Sequence, residues 1–361
     1  MVLLLSAYMK EVNRQDRFSG VVLLGKGNKL LFLKAFGLAN KQKNIRNTIH
    51  TKFAIASLSK TFTILAIAKL IELGKIKLNI PISNYLHGWL PKDELNKITI
   101  QQLLTHTSGL GDYMNEKSYK AGMSSGKLKT VNDYKNLIYN TPLLFYPGTN
   151  YSYSNSGYIL LGAIVEKISG MSFFQFIQKK IFKPVNMQHT GYPLFNKPIN
   201  NFAIGYTNNT LYGSMHWYKG TEYSPMLRGM PDGDAVSTAT DLFKFFRALI
   251  NDKLIKNKSL VNEILSTSPY PGTKNHNNKF GFAVCGFDVQ TNPSVQNICQ
   301  KPYLVGKAGL SPGESTYFAY LPEKDYTVIV LSNYTQGRTN VTGETYALLK
   351  ARLKYSERHK K

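Results

Sequence analysis

The chain has 361 residues, 43% of them hydrophobic and 12% aromatic, and a formal net charge of +24. That is material for a globular fold with a sizeable core, of one large domain or two ordinary ones, and no apolar run reaches the ~18 residues that a membrane-spanning helix requires. The lysines behind the charge are spread along the chain, and only the tail Arg358-His359-Lys360-Lys361 is dense, so the pattern argues for a solvated basic surface rather than a nucleic-acid site, with association to an anionic cell envelope as the partner the charge allows.

The opening "MVLLLSAYM" has neither a basic leader nor a small-residue cleavage site. Leu5, Tyr8 or Met9, and Val12 share one helical face, which predicts an amphipathic helix over residues 3–13. "SGVVLLGKGNKLLFLKAFGLAN" reads as two strands joined at Gly25-Lys26-Gly27-Asn28. Ser57 to Leu73 is apolar on nearly every side, as in a buried central helix, and Gly74 is a stop signal. "KITIQQLLTHTSGL" predicts a short helix ending at Gly109, and "SGYILLGAIVEKISG" an apolar helix stopped by Gly170. Thr238 with Asp241 three residues on predicts a helix start before "LFKFFRALI".

From Lys279 onward the pattern is that of strands: "KFGFAVCGFDV", "GESTYFAYL" and "YTVIVLSNY", followed by a closing helix in "GETYALLKARLKY". Cys285 and Cys299 flank a predicted turn at Thr291-Asn292-Pro293-Ser294 and are either two free thiols or a disulfide. Strands at both ends and helices between them predict one antiparallel sheet built from both termini, its face covered by the terminal helices, with a helical insertion and no second independent domain. No Cys-x-x-Cys occurs and the seven histidines are scattered, so no metal or other cofactor is expected.

The chemistry-bearing residues fall in three places. Ser57-Leu58-Ser59-Lys60 is a Ser-x-x-Lys in which i and i+3 share a helix face, so the Lys60 ammonium lies beside the Ser57 hydroxyl. A serine needs such a neighbour to attack a carbonyl, and a lysine among apolar residues has its pKa pushed down. Ser59 has Phe62 at i+3 and is the weaker nucleophile candidate. Tyr153-Ser154-Asn155 is a Tyr-x-Asn: Tyr153 beside Lys60 is expected as a phenolate or as a phenol sharing a proton with the lysine, and Asn155 offers an amide to Lys60 and a substrate carbonyl. Tyr151 is read as packing or as a turn hydrogen bond. Lys307-Ala308-Gly309 offers a cation for a substrate carboxylate, a glycine for close approach along a strand edge, and the Leu310 N–H as an oxyanion donor with that of Ser57. His106 is read as structural, and Asp232, Gly233 and Asp234 as lining the mouth of the site.

In this order the three motifs resemble those of the serine β-lactamase and penicillin-binding-protein superfamily, and Tyr-x-Asn is similar to its class C β-lactamase and D-alanyl-D-alanine carboxypeptidase branch. The resemblance spans "FSGVVLL", "FAIASLSKTFT", "ITIQQLLTHTSGL", "YPGTNYSYSNSGYILLGAIVEKISG" and "VIVLSN". It implies an α+β fold, β-lactamase/transpeptidase-like, with an α/β part from about residues 1–55 and 200–361 and a helical part from about 56–199, the site lying between them. It further implies Ser57 as acylated nucleophile, Lys60 as its helper, Tyr153 as general base, Asn155 as their partner, Lys307 and Gly309 on the substrate-binding strand, and a periplasmic or cell-envelope location. Ala308 stands where the family has threonine, removing a hydroxyl that helps hold a substrate carboxylate. The function it implies is an acyl-enzyme serine hydrolase acting on a D-alanyl peptide, a β-lactam or an ester, or a slow-deacylating penicillin-binding protein.

Overall fold

A computed structural model describes residues 2–115, 119, 126–208, 217–219, 228–265, 268–269, 279–280, 305–321 and 324–335. The predicted closing helix, Cys285, Cys299 and most of the strand predicted after Lys279 lie outside the described residues. The central element is a five-stranded sheet. Its strands in chain order are β1 (Gly20–Lys26), β2 (Lys29–Phe36), β3 (Val305–Ser311), β4 (Glu314–Leu321) and β5 (Tyr326–Ser332). Their spatial order is β3-β4-β5-β1-β2, and every neighbouring pair is antiparallel. Both halves of the sequence therefore meet in one sheet, with Gly20 opposite Ser332 and Lys26 opposite Tyr326.

Successive side chains of a strand point to opposite faces, and in β1 both faces are buried. Val21 and Leu23 join Ile329, Leu331 and Phe318 in the larger core, which extends through the helices. Val22 and Leu24 join Val328, Val330 and Ala319 in a smaller core under α1 (Val2–Arg14), which contributes Leu5, Met9 and Val12. That stripe at i, i+4 and i+7 is the face predicted from the sequence. The β1–β2 turn at Gly27 has φ 54°, where a glycine carries no Cβ penalty.

The helical layer is built on α2 (Lys60–Glu72) and α3 (Asn155–Ser169). Both are buried along most of their length because they lie inside the larger core. Ser154 caps α3 by accepting from Gly157 N–H, and Gly170 ends it in the left-handed conformation. The helix α4 (Ala239–Ile250) begins at Thr238, whose hydroxyl accepts from Asp241 N–H; it stacks Phe246 on Phe318 of β4, while Phe245 packs edge-on against Phe62 of α2. Thus α1 covers one face and α4 the other.

Two local predictions are corrected. Ser57 is not in the α-helix but in a tight 3-10 turn, Ala56–Ser59, that precedes it. Ala56 has φ 43°, and Ser59 Oγ donates to its carbonyl, so the chain is wound too tightly there for α geometry. Residues i and i+3 eclipse in such a turn, so the Ser57–Lys60 juxtaposition survives. The helix predicted to reach Gly109 spans only Ile100–Leu104, because His106 turns left-handed at φ 58°. Gly109 sits in the following turn, where an added Cβ would meet the Phe145 carbonyl oxygen at 2.2 Å.

Leu23 lies fully buried at the centre of the sheet opposite Ile329 and Leu33. Leu23→Ala is expected to destabilise the fold by about 3 kcal/mol, read as a lowered urea midpoint at unchanged slope.

Candidate active site

The site forms where the Ala56–Ser59 turn, the start of α3 and the edge strand β3 converge. Lys60, at the first position of α2, has no solvent exposure. A buried ammonium is tolerated only if its hydrogens are matched, and here all three are. Lys60 Nζ donates to Asn155 Oδ1 at 2.7 Å, to the Asp232 carbonyl, and to Ser57 Oγ at 3.2 Å. Ser57 Oγ also lies 2.8 Å from the Tyr153 hydroxyl. The Ser57, Lys60, Tyr153 and Asn155 picked out from the sequence are thereby one connected set.

Each partner is held from behind. Asn155 is the first residue of α3, and both its backbone N–H and its amide donate to Asp112 Oδ2, at 3.1 and 2.8 Å. That pins the amide so that its oxygen faces Lys60. Asp232 is buried; its Oδ2 accepts from the Tyr113 hydroxyl at 2.7 Å. Asp232, Gly233 and Asp234, expected at the mouth, instead form the floor. Asp232 meets Lys60 through its carbonyl, and Asp234 N–H donates to the Ala56 carbonyl at 3.1 Å. The reason is the tight turn from Met230 to Gly233, hydrogen-bonded in both directions, which drives this segment under the nucleophile turn.

Ser59, the alternative nucleophile, is buried and engaged twice: its hydroxyl donates to the Ala56 carbonyl and accepts from Ala235 N–H. His106 is buried as well. Its Nδ1 accepts from Ser154 N–H at 3.2 Å, and its ring lies 4.3 Å from that of Tyr153 and 5.2 Å from that of Tyr158. Desolvation, with the charges of Lys307 and Lys60, pushes its pKa well below the ordinary value, so it is a neutral aromatic wall. Tyr151 stands edge-on to the same imidazole, a packing contact.

β3 forms the opposite lip. An added Cβ at Gly309 would meet the Ile55 carbonyl oxygen at 2.4 Å and Leu58 N at 2.8 Å, so only a glycine lets this strand press against the nucleophile turn. Lys307 is buried two residues earlier, close enough for its charge to bear on His106. Leu310 is 39% exposed at the rim, one residue beyond the close approach.

The charge states follow from burial. Desolvation lowers the Lys60 pKa to about 8, against the pull of Asp232, Asp112 and Asp234. The same desolvation pushes the Tyr153 phenol well above its ordinary value, although the Ser57 hydrogen bond opposes it. Burial thus holds Tyr153 as a neutral phenol at neutral pH, not as the phenolate expected beside a cation. Asp112 and the Asp232 carbonyl were not singled out in the sequence. Asp112 follows the glycine-rich "HTSGLG", a polar residue in a turn that had to meet the second motif; a backbone carbonyl leaves no residue-type signal. Asp112→Ala is expected to free the Asn155 amide and lower turnover by about 10-fold, measured with whichever ester or amide the protein hydrolyses.

The chain is similar to known proteins over nearly its whole length. The family model described as Beta-lactamase matches residues 4–352. Penicillin-binding protein 4* of Bacillus subtilis is 32% identical over 338 residues, covering 91% of this chain and 71% of that protein. Protein flp of Staphylococcus aureus is 30% identical over 315 residues, 86% of this chain and 59% of its own length. Among solved structures, a penicillin binding protein from Bacillus halodurans superposes with a TM-score of 0.79 at 29% identity, covering 96% of this chain and 98% of that one. A D-amino acid amidase from Ochrobactrum anthropi shares the fold, with a TM-score of 0.75 at 19% identity, over 98% of this chain and 99% of that one.

Proposed function

The chain belongs to the beta-lactamase family of serine hydrolases, and from that premise we propose that it cleaves amide bonds through an acyl-enzyme on Ser57. One observation carries the reading: Ser57 Oγ lies between the Tyr153 hydroxyl and the buried Lys60 Nζ, whose pKa stands at about 8. Asn155 Oδ1 and the Asp232 carbonyl take two hydrogens of Lys60. The third position of the nitrogen, a hydrogen in the ammonium and a lone pair in the amine, then faces Ser57 Oγ.

In the amine form Lys60 accepts the Ser57 proton as Oγ attacks the carbonyl carbon. The Ser57 and Leu310 N–H groups receive the developing oxyanion. As the C–N bond breaks, the neutral Tyr153 gives its phenol proton to the leaving nitrogen, and Lys60 then returns a proton to Tyr153. Water enters where the leaving group stood, and the same groups run the transfers in reverse to release the acid. Tyr153 thus serves as a proton relay with Lys60 rather than as a standing base.

The substrate class we favour is a peptide ending in a D-amino acid with a free carboxylate, or a β-lactam that mimics it. Lys307, buried on the strand beside Ser57, is the support for an anionic group, and the penicillin-binding proteins among the relatives support the same class. Ala308 offers no hydroxyl to that carboxylate, which favours a carboxylesterase as the second reading. An envelope location fits the peptide substrate.

The test is intact-protein mass spectrometry over time with a penicillin, a D-alanyl-D-alanine peptide and p-nitrophenyl esters. An adduct on Ser57 that forms and decays supports the proposal, and its absence from Ser57→Ala completes the assignment; retained labelling in that variant would sink it. Lys60→Ala and Tyr153→Phe are each expected to lower turnover by about 100-fold or more. The acylation rate should rise with pH through about 8 as Lys60 loses its proton, and a flat rate between roughly pH 6 and 9 would contradict Lys60 as the acceptor.

A further inference from the structure

Ala56, the residue before the nucleophile, has φ 43°, a conformation that a residue with a Cβ holds only when its surroundings over-determine it. Three contacts do so. Its carbonyl accepts from Ser59 Oγ at 2.7 Å and from Asp234 N–H at 3.1 Å, and its own N–H donates to the Glu314 carboxyl group. Asp234, itself left-handed at φ 58°, hydrogen-bonds Glu314 side chain to side chain. Glu314 opens β4 and also accepts from Ser311 Oγ at 3.2 Å, one residue beyond Leu310. Two acids from distant segments therefore tie together the nucleophile turn, the turn whose Asp232 carbonyl holds Lys60, and the end of β3.

We propose that Asp234 and Glu314 form a positioning pair for the nucleophile, gripping the left-handed Ala56 peptide so that Ser57 Oγ stays registered against Lys60 and Tyr153. The inference rests on Ser57 being the acylated residue. Neither acid touches substrate in this scheme; both act through Ala56.

The pair is a carboxyl–carboxylate couple. Two acids in hydrogen-bond contact do not both ionise at neutral pH, and they titrate as a unit. Burial and Asp232 raise Asp234 to about 6 against the pull of Lys60, and burial and Asp234 raise Glu314 well above its ordinary value against the Ser311 hydrogen bond. At neutral pH the pair keeps one proton and one negative charge. As pH falls through about 6 it takes up a second proton and the grip on the Ala56 N–H weakens.

The experiment is the rate of Ser57 acylation by a fluorophosphonate, followed by intact mass from roughly pH 5 to 9, in the unsubstituted protein, Glu314→Ala, Glu314→Gln and Asp234→Asn. Glu314→Ala should acylate about 10-fold or more slowly at saturating probe, with the half-saturating concentration little changed. Glu314→Gln keeps an acceptor for the Ala56 N–H and should recover to within about 3-fold. Asp234→Asn relieves the shared charge, so the lower of two acid limbs, the one at about pH 6 beneath the Lys60 limb at about 8, should move down by about one pH unit, separately from any fall in the Lys60 limb that follows from loss of the Asp234 charge. Unchanged acylation rates in Glu314→Ala, or a lower limb at about pH 6 that is absent or unmoved in Asp234→Asn, would overturn the positioning pair while leaving the acyl-enzyme reading intact. If Glu314→Ala does not fold, the other two variants decide in the same way. No Ser57 adduct in the unsubstituted protein would overturn the acyl-enzyme reading and this inference with it.

Discussion

A single buried ammonium organises this molecule. Lys60 sits with no solvent exposure at the start of a helix surrounded by apolar side chains. Removing such a charge from water costs several kcal/mol unless the protein replaces the hydration shell, and each replacement comes from a different part of the chain. Asn155 arrives at the start of α3, the Asp232 carbonyl from the turn before α4, and Ser57 from the turn before α2. Satisfying Lys60 and assembling the site are the same event. The residual desolvation that brings its pKa to about 8 also leaves a base usable near neutrality.

The electrostatics beneath the site run against those of the whole chain. The protein has 45 lysines and arginines against 21 acids, yet Asp112, Asp232 and Asp234 all pull on Lys60, and Glu314 bonds to Asp234. In low dielectric these nearby acids outweigh a distant, screened surface charge. The three aspartates prevent the lysine from falling further, while desolvation, with Asp232 adding to it, keeps the phenol of Tyr153 neutral. Among the described residues of the site, Lys60 is the cation proposed for proton transfer and Lys307 the one proposed to anchor substrate.

Much of this was legible in the sequence because it rests on short-range regularities. The Ser57–Lys60 spacing survives a change from α to 3-10 geometry, since i and i+3 lie together in both. The alternation in β1, the stripe Leu5, Met9 and Val12 on α1, and the Thr238 cap each follow from a local period or a local hydrogen bond. What was hidden depends on backbone conformation and distant contact. The left-handed turns at Ala56 and His106 carry no glycine to announce them. Asp232 contributes through its carbonyl, so its identity gave no clue, and Asp234 and Glu314 meet only after β4 joins the sheet. Misplacing Asp232 to Asp234 at the mouth followed from reading side chains where the backbone does the holding.

The pairing of β1 with β5 has a consequence for how the protein is made. Ser19 and Ser332, hydrogen-bonded in the fold, are 313 positions apart. During synthesis the β1–β2 hairpin is made long before β5, the strand that β1 pairs with. Until then the inner edge of β1 is an open strand, and Gly309 has not yet closed against the nucleophile turn. Such non-local closure is slow and leaves an adhesive edge exposed. The nascent chain therefore presents the edge before the Ser57 turn, Lys60 and β3 are brought together, so the proposed site forms only after this non-local closure.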